Sequence, residues 1–432
     1  MKSGILALSM LATGGLVADG DYSSNQPNNY AQGSCNTCCK CPSECKPCCV
    51  PKPKKCIDCE CYVPAYYDLQ CDWGAFLTVD FLYWYARETN LTYAAVGTAQ
   101  EVANPEEVFG LTAPTTRTHI GNTSYKNLNT DWEPGVRVGL GWNSDCDGWD
   151  AFLNWTYMHN TRKDSTSVAE FNSPDYSTVF SNNLLPAIGQ SVLLNQWVDN
   201  GFNSLLTLEP GGIGTLFFTS VSAKWKLSFN QIDLEFGRKY WLSRCFTLRP
   251  YGGLRGAWIK TKFQTISSRD PVNEETYGYS FKDSFTNKSW GVGLLGGLQP
   301  NWHFCSNFIL YSNFDMALIW GEYQAKKKEN YAGTGTSEML YSNSSSSSFY
   351  RMQAVLDLAI GFRWEENWCC DRYKTALDLG WEHHIWFDHN HRIKSDEAIV
   401  TNNSQITGNR SFDEATGDLG LGGLVIRLRF DF

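Results

Sequence analysis

From Trp73 to Phe432 apolar side chains recur at every second position, in runs as long as the roughly 9–11 residues a strand needs to cross a bilayer. This pattern constrains the fold more than any other feature, because successive side chains of a strand point to opposite faces. The run from Met352 is the clearest. Met352, Ala354, Leu356, Leu358, Ile360, Phe362 and Trp364 share one face, and Gln353, Val355, Asp357, Ala359, Gly361 and Arg363 share the other. Val136, Val138, Leu140 and Trp142 oppose Arg137, Gly139, Gly141 and Asn143 in the same way. So do Leu77, Val79, Phe81, Tyr83 and Tyr85 against Thr78 and Asp80, and Leu377, Leu379 and Trp381 against Asp378, Gly380 and Glu382. One greasy and one wet face per long strand predicts a transmembrane antiparallel β-barrel of about 10–12 strands, all-β, with lipid outside and a polar lumen. A soluble sandwich also alternates, but with shorter, more closely spaced strands.

Composition agrees where it bears on this. Mean hydropathy is −0.34, and no run of 18 apolar residues follows the first 20 positions, so helical spans are excluded. Aromatics reach 14%, with 17 Trp, and Trp and Tyr gather near strand ends, as in the aromatic girdles of membrane barrels. A net charge of −9 argues against a nucleic-acid partner, since phosphate neutralisation needs an excess of Lys and Arg.

The run Trp225 to Phe236 changes parity. Trp225, Leu227 and Phe229 share one face, while Ile232, Leu234 and Phe236 share the other. A bulge near Asn230 or a strand projecting beyond the membrane would each explain it. The stretch Asn160 to Thr219 breaks the pattern, and within it Ala187 to Leu208 folds inward, covers the mouth or hides further strands. Ser344 to Ser348 reads as a flexible extracellular stretch.

The sequence divides into residues 1–18, a short signal peptide; 19–71, a Cys- and Pro-rich periplasmic segment; and 72–432, the barrel. Lys2, the apolar stretch Gly4 to Leu11 and the end Leu16-Val17-Ala18 make up the signal. The second segment carries Cys35, Cys38, Cys39, Cys41, Cys45, Cys48, Cys49, Cys56, Cys59, Cys61 and Cys71. Its prolines interrupt regular structure, so covalent bridges must supply any order. Cys-x-x-Cys spacings at Cys35, Cys45 and Cys56 also suit zinc, but an oxidising compartment after export favours disulfides, and no metal or other cofactor is expected. An odd count leaves a thiol for pairing outside the segment. Cys146, Cys245, Cys305, Cys369 and Cys370 each fall in a short polar connection between apolar-alternating runs. Short turns of outer-membrane barrels face the periplasm, so all five are expected on the rim that carries the Cys-rich segment, as cross-link candidates.

Charged groups are costly on a lipid face, so the pore-lining candidates are Asp80, Arg137, Asp150, Asp233, Glu235, Arg249, Arg255, Asp315, Asp357, Arg363, Asp378, Glu382, Arg427 and Arg429. Opposed acidic and basic rows would set a transverse field with weak ion selectivity, whereas mutual pairing would fill a barrel this small. No phosphate loop or His-Glu-x-x-His motif is present. His389 and His391 are placed where a strand runs into a loop, exposed and without ligand, and Asp388 beside them makes no convincing rim catalyst, so no enzyme is expected.

Leu424, Ile426, Leu428, Phe430 and Phe432 alternate with Arg427, Arg429 and Asp431. A terminal Phe behind apolar residues at spacing two resembles the signal read by the barrel-assembly machinery. The opening strand from Asp72 to Trp84 and the segment Gln231 to Gly237 resemble recurring strands of the major outer-membrane-protein-like porins of environmental chlamydiae and Legionella. The resemblance covers about Asp72 to Phe432 and implies a passive diffusion channel in the cell outer membrane. It also implies disulfide linkage with other Cys-rich envelope proteins, and the dense cysteine cluster favours an added cross-linking role. A mainly structural envelope protein or a surface adhesin are the alternatives, with a homo-oligomer possible in any of them.

Overall fold

The computed structural model describes residues 63–65, 69, 74–102, 117–144, 148–169, 189–198, 217–269, 278–304, 307–334, 339–369, 372–402 and 405–432. The proposed signal peptide, the Cys-rich segment up to Cys61, and Cys71, Cys146, Cys305 and Cys370 lie outside them.

All regular structure among the described residues is extended. In chain order the strands are β1 (Val63–Pro64), β2 (Ala75–Glu88), β3 (Thr92–Val102), β4 (Arg117–Asn127), β5 (Trp132–Asn143), β6 (Trp149–Ser167), β7 (Ser191–Leu194), β8 (Ser220–Arg238) and β9 (Tyr240–Ser243). Then come β10 (Phe246–Arg269), β11 (Gly278–His303), β12 (Phe308–Thr334), β13 (Met339–Trp368), β14 (Tyr373–Asn402) and β15 (Gln405–Asp431). The strands β2, β5, β6, β8 and β10 to β15 pair antiparallel around a closed circuit. Closure is made twice: β15 pairs with β2, setting Arg427 opposite Asp80, and β8 pairs with β10, setting Asp233 opposite Arg255. The result is a ten-stranded barrel with no free edge along the wall, which is what a sheet needs in hydrocarbon. The short β9 pairs antiparallel with the start of β10 at the rim and, on its other side, with β1.

Alternation holds as the sequence predicts. Leu77, Val79, Phe81 and Tyr83 are exposed, as are Leu140 and Trp142, Phe314, Met316 and Leu318, Leu358, Ile360 and Phe362, and Leu377 and Leu379. Exposed Trp142, Trp149, Trp302 and Trp368 mark the lower edge of this outward apolar belt, and Trp258, Trp290, Trp320 and Tyr350 mark its upper edge. Rings that prefer the headgroup level thus bracket the hydrocarbon.

Along β8 there is no bulge near Asn230: its register with β6 and with β10 runs without a shift. The strand projects beyond the membrane. Ile232 and Phe236 face lipid below, whereas Trp225, Leu227 and Phe229 face inward and are fully buried above. Two expectations are corrected here. Ser344 to Ser348 is not a flexible loop but part of β13, paired residue by residue with Gln324 to Lys328 of β12. Side chains at every second position of a serine run need no apolar partner once a neighbouring strand takes up the backbone hydrogen bonds. His389 and His391 are not exposed but 2% and 5% exposed within β14. A bulge between Trp386 and Asn390, with Asp388 at φ 50°, turns this part of the strand inward.

The chain between β2 and β5 and between β6 and β8 contributes a second, three-stranded sheet of order β4-β3-β7. Of the readings open for Ala187 to Leu208, its described part folds inward. Leu193, Trp197 and Val198 join Leu91, Tyr93 and Leu128 in one buried cluster with wall residues Trp84, Trp225, Phe263, Phe285, Tyr331 and Trp386.

Candidate functional site

The lumen has two layers of opposite chemistry. Within the belt the charged side chains are all on the inward parity, among apolar ones such as Phe76, Leu82 and Val425, because an outward charge would meet lipid. All fourteen residues expected on the lumen face point inward. Asp80, Arg137, Asp233, Arg255, Asp315, Asp357, Asp378 and Glu382 are buried, and Asp150, Glu235, Arg249, Arg363, Arg427 and Arg429 are half-buried.

They do not form two facing rows. Acid and base interleave in a continuous chain of contacts. Arg427 donates to Asp80 at 2.8 Å, and Asp80 accepts from Arg137 at 3.2 Å. Arg137, on β5, reaches Glu382 of β14 at 2.8 Å. His384 then bridges, with Nε2 3.3 Å from Glu382 and Nδ1 2.8 Å from Asp357. Asp357, on β13, pairs at 2.5 Å with Arg255 of β10, which also holds Asp233 at 2.8 Å. The strands β5 and β14 are separated along the wall by β2 and β15, and β10 and β13 by β11 and β12. Two of these contacts therefore cross the lumen. Below this chain Arg249 clamps Asp150 and Glu235, Arg363 takes Asp378 with two donors at 2.7 Å, Arg429 pairs with Asp431 at 2.7 Å, and Tyr251 donates to Asp315.

Sequence reasoning did not single out His384 as a lumen residue. Its signal was parity: Asp378, Glu382 and His384 share one face of β14. Trp84 faces inward beside it, its ring tilted 4.7 Å from the His384 ring and 5.5 Å from the Arg137 guanidinium.

Above the charged layer the filling is aromatic. Phe229 of β8 meets Trp386 of β14 edge to face at 5.6 Å, across the lumen. Trp197 packs on Phe285 at 5.1 Å and donates its indole N–H to the Thr92 carbonyl at 2.7 Å. Buried ion pairs lie within it, Arg392 with Glu88 at 3.1 Å and Lys327 with Glu329 at 2.5 Å, and Arg392 also donates to the Asn90 carbonyl at 2.6 Å, tying the inner chain to the wall. Asn195 fixes the other end through Thr265 and Ser267 at 3.1 and 2.7 Å.

His389 and His391 pack against Tyr323, and His391 bonds Glu414 at 2.6 Å. Among the described residues no group of three His, Cys, Asp or Glu side chains is arranged to hold a metal ion.

Chain direction puts the turns after β5, β9, β11 and β13 at one end of the barrel. Two described cysteines sit there: Cys245, an exposed free thiol between β9 and β10, and Cys369 just beyond β13, at φ 55°.

A family model described as the Legionella pneumophila major outer membrane protein precursor matches residues 70–432. The chain belongs to this family. It is an outer-membrane protein of that group, and its localisation is the outer membrane. No curated protein matches. Among solved structures, the outer-membrane protease OmpT from Escherichia coli is 12% identical, with 84% of this chain and 98% of that chain covered at a TM-score of 0.32. The Pseudomonas putida toluene transporter TodX is 7% identical, with 84% and 91% covered at a TM-score of 0.25.

Proposed function

We propose that this family member is a gated channel, passing small solutes and ions down their gradients without chemical change, with the crossing chain of ion pairs as its gate. One observation carries the reading. Within the membrane, among the described residues, side chains reach across the lumen through Arg137–Glu382 and Arg255–Asp357. An anchor would need only filling, such as the aromatic layer above. Paired charges, by contrast, are a polar path that opens when guanidinium and carboxylate exchange partners, and they favour ions over apolar solutes.

Planar-bilayer recording tests this. Wild-type protein gives small, infrequent steps. Arg137→Ala and Asp357→Asn, each removing one crossing contact, give larger or more frequent ones. Silence from all three would overturn the channel.

A structural envelope role is the second reading, favoured by the free, exposed Cys245 at the turn end of the barrel. It takes Cys35 to Cys71 and the turn cysteines as bridges to other Cys-rich envelope proteins. Non-reducing gels of native envelopes then show high-mass ladders that collapse with reductant, whereas a monomer under both conditions counts against it.

A further inference from the structure

Just above the upper aromatic edge, four neighbouring strands set lysine against lysine on the outward face. Lys260 of β10 is directly opposite Lys288 of β11. Lys262 of β10 is directly opposite Lys226 of β8, and Lys163 of β6 is directly opposite Lys224 of β8. All are exposed except Lys224, which is half-buried. Directly opposed residues have Cβ atoms about 5 Å apart, and like charges there destabilise a sheet. The repulsion is visible at Lys224, outside the spanning part of β8, whose pKa is lowered first by Lys226, then by Lys163. No carboxylate is paired with any of the six among the described residues. A surface carrying this cost three times over is complementary to a polyanion.

Position says which. Lys260 and Lys288 stand two residues beyond Trp258 and Trp290, themselves directly paired at the edge of the lipid belt. Between these four side chains lies a groove of about 310 Å³ on the outward face, bordered also by Ser228 and Asn230. Glu322, bonded to the Trp290 indole at 3.2 Å, stands at its margin. A ligand there has ring-compatible, apolar substance at the tryptophans and negative charge one step further from the membrane centre. Basic clusters at this level recognise anionic headgroups.

We infer that this face binds the phosphorylated glycolipid of the outer leaflet, its phosphates on the lysine pairs and its sugar and acyl root against Trp258 and Trp290. The site is on the lipid side of the wall and is independent of whether the lumen conducts.

The probe is bisphosphorylated lipid A in mixed micelles with the full, refolded chain. It raises the thermal midpoint, and binding weakens as salt rises through the range where the Debye length falls from about 10 to 3 Å. In Lys226→Gln/Lys260→Gln/Lys262→Gln/Lys288→Gln, binding weakens at least tenfold, with folding checked by heat-modifiable gel migration. Dephosphorylated lipid A and inorganic phosphate each leave the wild-type midpoint unchanged. The inference fails if dephosphorylated lipid A binds wild type as tightly, if inorganic phosphate alone reproduces the shift, or if the folded variant binds like wild type. The dephosphorylated arm needs no variant and decides the matter even if the variant does not fold.

Discussion

At the residue scale the energetics are governed by pairing of buried charge. Arg255 is 2% exposed between Asp233 and Asp357, so its attraction to them must offset a large desolvation cost. Arg255→Met leaves Asp233 without its cation and Asp357 with His384 alone, and is expected to lower stability by about 3–5 kcal/mol in a urea titration of the refolded protein. Adding Asp233→Asn and Asp357→Asn should recover much of the loss, which a merely steric role for Arg255 would not allow. Backbone approach matters at Gly361. It is paired directly with Gly380, and a Cβ there would stand 2.5 Å from the Leu379 carbonyl oxygen. Because that neighbour is backbone, Gly361→Ala should shift the β13–β14 register and cut the yield of heat-modifiable barrel.

At the element scale, β8 carries two instructions in one alternation. Its lower half is greasy outward, its upper half greasy inward, and the period never slips. The parity change was legible in the sequence, but the choice between a bulge and a projecting strand was not. Only the inner chain, packed on Trp225, Leu227 and Phe229, makes the upper inward face apolar. Thiol labelling checks the assignment. Lys226→Cys should react with a membrane-impermeant maleimide on intact cells, whereas Phe236→Cys should react only with a lipid-soluble reagent. In β14 the alternation read from Leu377 to Glu382 holds, but the strand was expected to run into a loop at His389 and His391 and instead continues past a bulge, a backbone event with little signature in side-chain type.

At the scale of the whole molecule the barrel is closed at two heights by different means, charge below and aromatics above. Trp197→Ala removes the ring that fills the space against Phe263 and Phe285. If the barrel conducts, this variant should raise conductance further in an Arg137→Ala background than alone, since the two closures act in series. Carboxylates outnumber guanidinium groups among the inward charges, so open steps should favour cations, read as a reversal potential under a salt gradient.

The sequence by itself determined the wall. A period of two over lengths that cross a bilayer, with charges confined to one parity, has few solutions other than a closed sheet with lipid outside, and it named the inward charges from Asp80 to Arg429. The tertiary structure decided what the inside does. Which carboxylate meets which guanidinium across the lumen depends on strand number and stagger, which bring Arg137 to Glu382 and Arg255 to Asp357 from strands far apart along the wall. The same holds for the lysine pairs outside and for the inner chain's descent between the walls. Local alternation says which way a side chain points, and only the closed geometry says what it finds there.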